Sequence, residues 1–419
     1  MNVDANVNDV LHQRLPRRRY RGSTWREALA RKQSRLLAEF LRKNSASKLA
    51  DDQEEMASQD LDVEVHIQTT LSYDLLYQIF ILLPAESLFR LQFVCKQWFS
   101  LINSTVFVST HAQQTETVLI SQQLSFWPRG SEGKPKSYFH FLSLDDWGSS
   151  FVESSVAGLF NVRASYDGLI LASTGRVKRL ILINPVTGKH IELPLGAACH
   201  PLCESFGIAF CNQSKMYRVV HLFREISGSI GCEILSIRTR NWTRIEGPPE
   251  LLRIRQIPVS IDGSLYWLSS KRGRDYFVSL NVHDEKFVSK KLPVKRVGSD
   301  RLLEIGGNLG FVTHAELSIL QVWILISDGE SRECWMRRYS INMNVGFTHC
   351  IPICSRRNGQ ELVLESIGNQ LYLYNFDRDE IKPVNSGSDD EPWFGKINRL
   401  YIPHQNTLVS CGNHNLITL

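Results

Sequence analysis

The sequence predicts a multidomain chain, α followed by all-β: a short N-terminal unit of three helices, then a β-propeller-like domain of about six to eight blades. Three observations carry this. Residues 71–111 place apolar side chains at helical spacing. From about residue 118 onward, short β-branched and aromatic runs are bounded by turn residues. Along that second stretch a Gly turn followed by an apolar strand recurs. The expected boundaries are an arm over 1–65, the helices over 66–112 and the β-domain over 113–419.

At 419 residues, 43% hydrophobic and 22% charged, the chain has an ordinary globular composition and the length for two or three cores. Its first residues, MNVDANVNDVLHQRLPRRRYR, have no apolar stretch of the secretory kind. No apolar run approaches the roughly 18 residues of a membrane helix. A soluble, intracellular protein without a membrane partner is expected, in the nucleus, the cytoplasm or both. The nine cysteines are odd in number and scattered, so no disulfide framework is expected. Cys199 with Cys203 (beside His200) and Cys350 with Cys354 have unusual spacings and apolar flanks. They read as structural thiols, and neither a metal nor another cofactor is expected.

The arm is mostly disordered by pattern, basic first and acidic after. Through residue 50 it carries twelve Lys/Arg against four Asp/Glu, and residues 51–65 then carry seven acids and no base. Thr24 and Glu27 fit a capping box ahead of Leu29, Leu36, Leu37, Phe40 and Leu41, so one isolated amphipathic helix is expected there. The cluster PRRRYR, with Arg17, Arg18 and Arg19, fits a nuclear-import signal, a phosphate-backbone contact or a solvated end. Nucleic acid is not the expected partner.

The helical stretch opens at Ser72, a helix cap, followed by Leu75, Leu76, Ile79, Phe80 and Leu83 on one face. Pro84 is expected to stop that helix. A second helix carries Leu88 and Leu91, and a third Val94, Cys95, Trp98, Leu101 and Ile102. About twenty large apolar side chains fall within residues 71–107, more than so small a bundle can bury. The surplus faces either a partner or the β-domain.

The β-region contains the strand-like runs GLILAS, RLILIN, YRVVHLF, CEILSI, LYWLSS, YFVSLNV, VWILI and QLYLYNF. Its repeat reads SYDGLILAS, SIDGSLYWLSS, EIGGNLGFV and SIGNQLYLY, with turn glycines at 168, 263, 307 and 368. A family of endings follows: INPVTGKHIELP, LSIRTRNWTRIEGPP, LNVHDEKFVSKKLP and YNFDRDEIKPV. Asp167 and Asp262 sit in DG turns, which explains their type. Trp242, Trp267, Trp323 and Trp335 fall in strand patterns and are expected in blade cores.

No phosphate-binding loop, dinucleotide fingerprint, HExxH or G-x-S-x-G occurs, so no catalytic residue is assigned. Two hairpin tips after the DG turns are basic. Arg176, Lys178 and Arg179 would share a rim with Lys271, Arg272 and Arg274, since equivalent repeat positions lie on one face. Such a rim suits acidic or phosphorylated targets, although solvated turn residues look the same.

Residues 71–111, LSYDLLYQIFILLPAESLFRLQFVCKQWFSLINSTVFVSTH, resemble the F-box. The matching positions are Leu71, Asp74, Leu75, Leu76, Ile79, Leu83, Pro84, Ser87, Leu88, Arg90, Val94, Cys95, Lys96, Trp98, Leu101, Ile102, Phe107 and His111. Ser72 stands where that family has its first Pro, and Ile81-Leu82 where Ser-Arg is common. The β-region resembles the F-box-associated, kelch-like domain of plant F-box proteins in segments such as SYDGLILAS, INPVTGKHIELP and FGIAFCNQSKMYRVVHLF, in the same order. The resemblance implies a substrate-recognition subunit of an SCF-type cullin–RING ubiquitin ligase. Leu71, Leu75, Leu76, Ile79, Leu83, Pro84, Leu88, Val94, Cys95, Trp98 and Leu101 would bind a Skp-type adaptor, and through it a cullin and RING subunit. The β-domain would hold a protein substrate, and this chain would supply no catalysis. A non-degradative scaffold and a nucleic-acid-binding regulator are the alternatives.

Overall fold

The computed structural model describes residues 72–124, 136–145, 148–157, 160–174, 179–200, 203–254, 256–270, 275–297, 299–316, 318–327, 333–343, 350–366, 370–384 and 400–411. The arm with its expected helix and Arg17–Arg19 lies outside them, as does Leu71. The chain forms two compact units, residues 1–83 and 84–419.

In the first unit, α1 (Tyr73–Phe80) starts at Ser72, whose Oγ accepts the Leu75 N–H at 3.3 Å. It ends four residues before Pro84, earlier than expected. The residue before a proline is driven out of helical φ/ψ, so Leu83 cannot continue the helix. Residues 81–83 instead close with short turns, Leu82 N–H to Ile79 O and Leu83 N–H to Phe80 O.

The second unit begins with α2 (Ala85–Leu91), α3 (Lys96–Ile102) and α4 (Thr105–Gln114). Pro84 is the N-cap of α2, its carbonyl accepting from Ser87 and Leu88. Helix α4 was not expected, which makes four helices among the described residues rather than three. Thr105, Val106, Val108 and Thr110 are β-branched and lower helix propensity, so the pattern is weak there. Ser104 nevertheless caps it, accepting the Phe107 N–H at 3.2 Å.

Six four-stranded antiparallel sheets follow. The first holds β1 (Thr117–Leu124), β2 (Lys136–Asp145), β3 (Gly148–Ala157) and, from the far end of the chain, β24 (Leu400–Gln405). The second is β4 (Phe160–Tyr166), β5 (Leu169–Thr174), β6 (Leu180–Ile183) and β7 (His190–Leu193). The third is β8 (Glu204–Cys211), β9 (Met216–Arg224), β10 (Ile230–Ser236) and β11 (Asn241–Ile245). The fourth is β12 (Val259–Ile261), β13 (Ser264–Leu268), β14 (Tyr276–Asn281) and β15 (Lys286–Lys291). The fifth is β16 (Arg301–Ile305), β17 (Asn308–Glu316), β18 (Ile319–Ser327) and β19 (Glu333–Asn342). The sixth is β20 (Ile351–Arg356), β21 (Glu361–Glu365), β22 (Leu371–Asn375) and β23 (Glu380–Pro383).

Strands β24, β4, β8, β12, β16 and β20 neighbour one another in turn and return to β24, so the sheets are blades of a closed six-bladed propeller. The ring is shut by pairing the last strand with the first, Leu119 opposite Pro403 and Ile120 opposite Ile402.

Strands such as β5 and β21 read as continuous apolar runs because both faces of the blade are covered there, whereas the fourth strands β11, β15, β19 and β23 are largely exposed. Leu169 and Leu171 pack toward the third blade, while Ile170 between them packs toward the first. Val219 likewise joins the core between blades two and three, and Val220 the core between blades three and four. Two-residue alternation thus divides one strand between two interfaces.

Turn chemistry explains the repeat. Asp167 (φ 49°) and Asp262 (φ 44°) are left-handed, each followed by a positive-φ glycine, in the turns joining the first two strands of blades two and four. Blade three makes the equivalent turn with Lys215 (φ 52°) instead of glycine, which is why the gap between glycines 168 and 263 is double. The run SIGNQLYLY is out of phase with the others. Its strand, β22, is the third of its blade, whereas β5, β13 and β17 are second strands. The endings keep phase throughout. Asn184, Asn281 and Asn375 each accept two backbone N–H groups, from residues two and three further on, in the turn between third and fourth strands.

Trp267 is buried in a core, while Trp242, Trp323 and Trp335 are partly buried against one. No helix among the described residues is long and apolar enough to cross a membrane.

Candidate docking surface

Each helix divides its apolar residues between packing and water. In the first unit, Leu76 and Phe80 are buried, one turn apart, while Tyr73, Leu75 and Leu82 are exposed. In the second unit, Ala85, Leu88, Leu101, Ile102 and Phe107 are buried. The Phe107 ring stacks on the buried His111 at 5.9 Å. Buried Gln92 joins the ends of two helices: its Oε1 accepts from Asn103 Nδ2 at 3.1 Å, and the same Nδ2 donates to Phe99 O at 2.8 Å. With the frame held in this way, Phe93, Val94, Phe99 and Val106 remain 71%, 61%, 50% and 62% exposed. Large apolar side chains gathered on so short a stretch and left in water mark an interaction surface.

The helices of the second unit are tied to the propeller. Glu86, in the first turn of α2, accepts from Asn406 at 2.7 Å, and Val108 of α4 packs against the core between blades two and three. Burial raises the Glu86 carboxyl above the ordinary range, opposed by its backbone hydrogen bond, by Asn406 and by Arg90.

A model described as the F-box domain matches residues 69–110, and one described as the F-box associated beta propeller domain matches residues 104–385, more than half of the chain. The chain belongs to the F-box-associated β-propeller family. The F-box protein At5g10340 of Arabidopsis thaliana is 27% identical over 323 residues, which cover 67% of this chain and 71% of that protein. The F-box/kelch-repeat protein At2g43445 of the same plant is 25% identical over 346 residues, 75% of this chain and 79% of that one. A third Arabidopsis F-box relative is 26% identical, and the match spans 60% of its length. Among solved structures, the Cps50 (Swd1) β-propeller domain of Myceliophteria thermophila aligns at 11% identity and TM-score 0.38, covering 64% of this chain and 91% of that one. This is therefore an F-box protein of the plant type, and an F-box is in general a module that binds a Skp-type adaptor.

The residues expected to bind that adaptor divide by burial. Leu75, Val94 and Cys95 are exposed, and Ile79, Leu83, Pro84 and Trp98 are half-buried. Leu76, Leu88 and Leu101 are buried in the packing of the chain itself. Tyr73, Leu82, Phe93, Phe99 and Val106 are exposed apolar residues that the sequence reading did not assign to docking. A signal for some of them was present. Tyr73 falls outside the Leu76–Phe80 stripe of α1, and Phe99 precedes the buried Leu101–Ile102 pair of α3.

Of the expected basic rim, Arg176, Lys178, Lys271, Arg272 and Arg274 lie outside the described residues. Arg179 is described, and its Nε lies 3.5 Å from Glu192 of the same blade, so an acid already accompanies its charge.

Proposed function

We propose that this chain is the substrate-recognition subunit of an SCF-type, cullin–RING E3 ubiquitin ligase. The observation that carries the reading is the set Phe93, Val94, Phe99 and Val106, apolar and exposed on F-box helices whose Leu88, Leu101, Ile102 and Phe107 are buried. A Skp-type adaptor covers that set and connects the chain to a cullin and a RING subunit. The propeller holds a protein substrate. The chain contributes proximity rather than a reacting group: tethering raises the local concentration of substrate lysines near the ubiquitin-loaded enzyme. The protein works in the nucleus, the cytoplasm or both, and replacing Arg17, Arg18 and Arg19 by Ala tests the arm as an import signal through the distribution of a tagged chain.

The decisive experiment is affinity purification of the full chain from plant cells, with and without proteasome inhibition. Adaptor and cullin should co-purify with the natural chain and be lost from a Val94→Asp, Phe99→Asp variant that melts normally. Equal adaptor recovery by both chains would overturn the reading. A bound protein that accumulates on inhibition separates a ligase receptor from a non-degradative scaffold. Reversing Lys271, Arg272 and Arg274 to Glu should weaken that protein's capture in a salt-dependent way and leave the adaptor bound.

A further inference from the structure

Cys199, Glu204 and His221 meet where blade two borders blade three. Cys199 lies on the connection between β7 and β8, Glu204 opens β8, and His221 stands in the middle of β9. Three separate segments therefore deliver one donor atom each. Cys199 Sγ is 3.2 Å from Glu204 Oε2, His221 Nε2 is 3.4 Å from the same oxygen, and Sγ and Nε2 are 3.9 Å apart. A tetrahedral zinc ion, with bonds of about 2.3 Å to sulfur and about 2.0–2.2 Å to nitrogen and oxygen, sets its ligand atoms roughly 3.3–3.7 Å apart. The three separations bracket that range.

The surroundings hold those atoms in place. His221 Nδ1 lies 2.8 Å from Glu233 Oε1, which also accepts the Ala197 N–H at 2.7 Å. The Phe206 ring lies flat against the imidazole, 4.2 Å away and 1° from parallel. The connection passes so close that a Cβ at Gly196 would sit 2.0 Å from Glu233 Oε1 and 2.9 Å from His221 Nδ1. The ring cannot turn, and its Nδ1 side is already committed. The second oxygen of Glu204, Oε1, takes Arg163 Nη2 at 2.7 Å, which leaves Oε2 facing the thiol and the imidazole. A ligand histidine oriented by a carboxylate, beside a ligand carboxylate held by its own partner, is the usual second layer of a protein metal site.

We propose that Cys199, Glu204 and His221 form a zinc site with three protein ligands and a water in the fourth position. Sulfur and imidazole donors favour zinc over calcium or magnesium. The charges balance: thiolate and carboxylate offset the two positive charges of the ion, and Arg163 and Glu233 offset one another. Binding releases the thiol proton of Cys199 to solvent. The site clamps the β7–β8 connection onto blade three. Cysteine spacing did not point to it, because Cys203 takes no part and the other two ligands come from β8 and β9.

The test uses the full-length chain, stripped with a chelator, kept reduced without added thiol, and titrated with zinc or with cobalt(II) alone. One tightly bound equivalent is expected, and bound cobalt should show a thiolate-to-metal charge-transfer band. Cys199→Ser should remove that band, while Cys203→Ser and Cys350→Ser leave it unchanged. Glu233→Gln should weaken binding by about 10–100-fold. In the unaltered chain, zinc should slow alkylation of Cys199, located by peptide mass spectrometry, while the exposed Cys95 and Cys334 react at unchanged rates. Equal alkylation of Cys199 with and without zinc, or equal metal uptake by the natural chain and the Cys199→Ser variant, would overturn the site and leave a network closed by protons alone.

Discussion

Asn406 donates its side-chain N–H to Glu86 at 2.7 Å, joining residues 320 positions apart. Glu86 belongs to the F-box region, and Asn406 directly follows β24, the strand that closes the ring. The segment after it is anchored in turn. Thr407 Oγ1 donates to Asp167 O at 2.7 Å, and Asn184 Nδ2 donates to Thr407 O at 3.0 Å and Val409 O at 2.7 Å. Val409 and Cys411 then enter the same core as Val108 of α4. The helices of the second unit are therefore fixed to the propeller at the place where it closes.

Asn406→Ala should lower stability by about 1 kcal/mol, since it removes one hydrogen bond from the half-buried Glu86 carboxylate. Glu86→Gln keeps an acceptor for Asn406 and should cost much less. Thermal unfolding distinguishes the two, and amide exchange in α2 should quicken in the first variant alone. Equal melting of both variants would show that the hydrogen bond does not fix the helix.

Exposed and buried F-box residues should fail in different ways. Val94→Asp should abolish adaptor capture while changing stability by no more than about 0.5 kcal/mol, as expected for a surface position. Leu101→Ala should cost about 2–5 kcal/mol, because Leu101 is fully buried, and should lower adaptor capture only where the helices melt. Capture measured across a temperature range separates the two cases. A Val94→Asp chain that binds as before would remove this face from the interface.

Burial lifts the Asp167 carboxyl to about 6, against the hydrogen bond it accepts from the Tyr217 hydroxyl at 3.0 Å. Unfolded, the group titrates near about 3.9. Between those values the folded chain holds a proton that the unfolded chain has released. The stabilising contribution is thus full below about pH 4 and lost as pH rises through about 6. Asp167→Asn keeps the shape and the acceptor, and Asn tolerates the positive φ of this turn. The variant should be more stable at pH 7, by at most about 3 kcal/mol, with the gain vanishing near pH 4. Denaturant melts of both chains across that range check it, and parallel pH profiles would count against the assignment.

Ending the chain at residue 399 removes β24 and the anchored segment beyond it. Blade one would keep three strands, with an open edge along β1 where Leu119 and Ile120 now pair. Loss of cooperative melting and aggregation at low concentration are expected. A soluble, cooperatively folded truncated chain would show that the ring does not depend on its last strand.

Much of this was legible in the chain. The helical F-box stretch, the strand character from residue 118 and the repeated endings depend on neighbours within a few residues, and such contacts leave a local pattern. All eight strand-like runs quoted from the sequence became strands. The same locality misled where two readings fit one pattern. The glycine of SIGNQLYLY resembles those of the second strands, yet the strand after it is a third strand, since only pairing partners establish phase within a blade. Helix α4 was missed because its start rests on one serine cap and its face carries little apolar periodicity.

The sequence by itself determined the kind of protein: F-box helices first, a propeller after them, and a surplus of apolar side chains in the helices. Tertiary structure alone decided which of those side chains stay exposed. Leu88 and Val94 are both apolar F-box positions, but one is enclosed and the other faces water, and composition cannot distinguish them. It also decided the six-blade count, through the pairing of β24 with β1, and the gathering of Cys199, Glu204, His221 and Glu233. Burial and side-chain clustering depend on which strands pair and pack, as His221 of β9 stands opposite Glu233 of β10, and composition does not record that pairing.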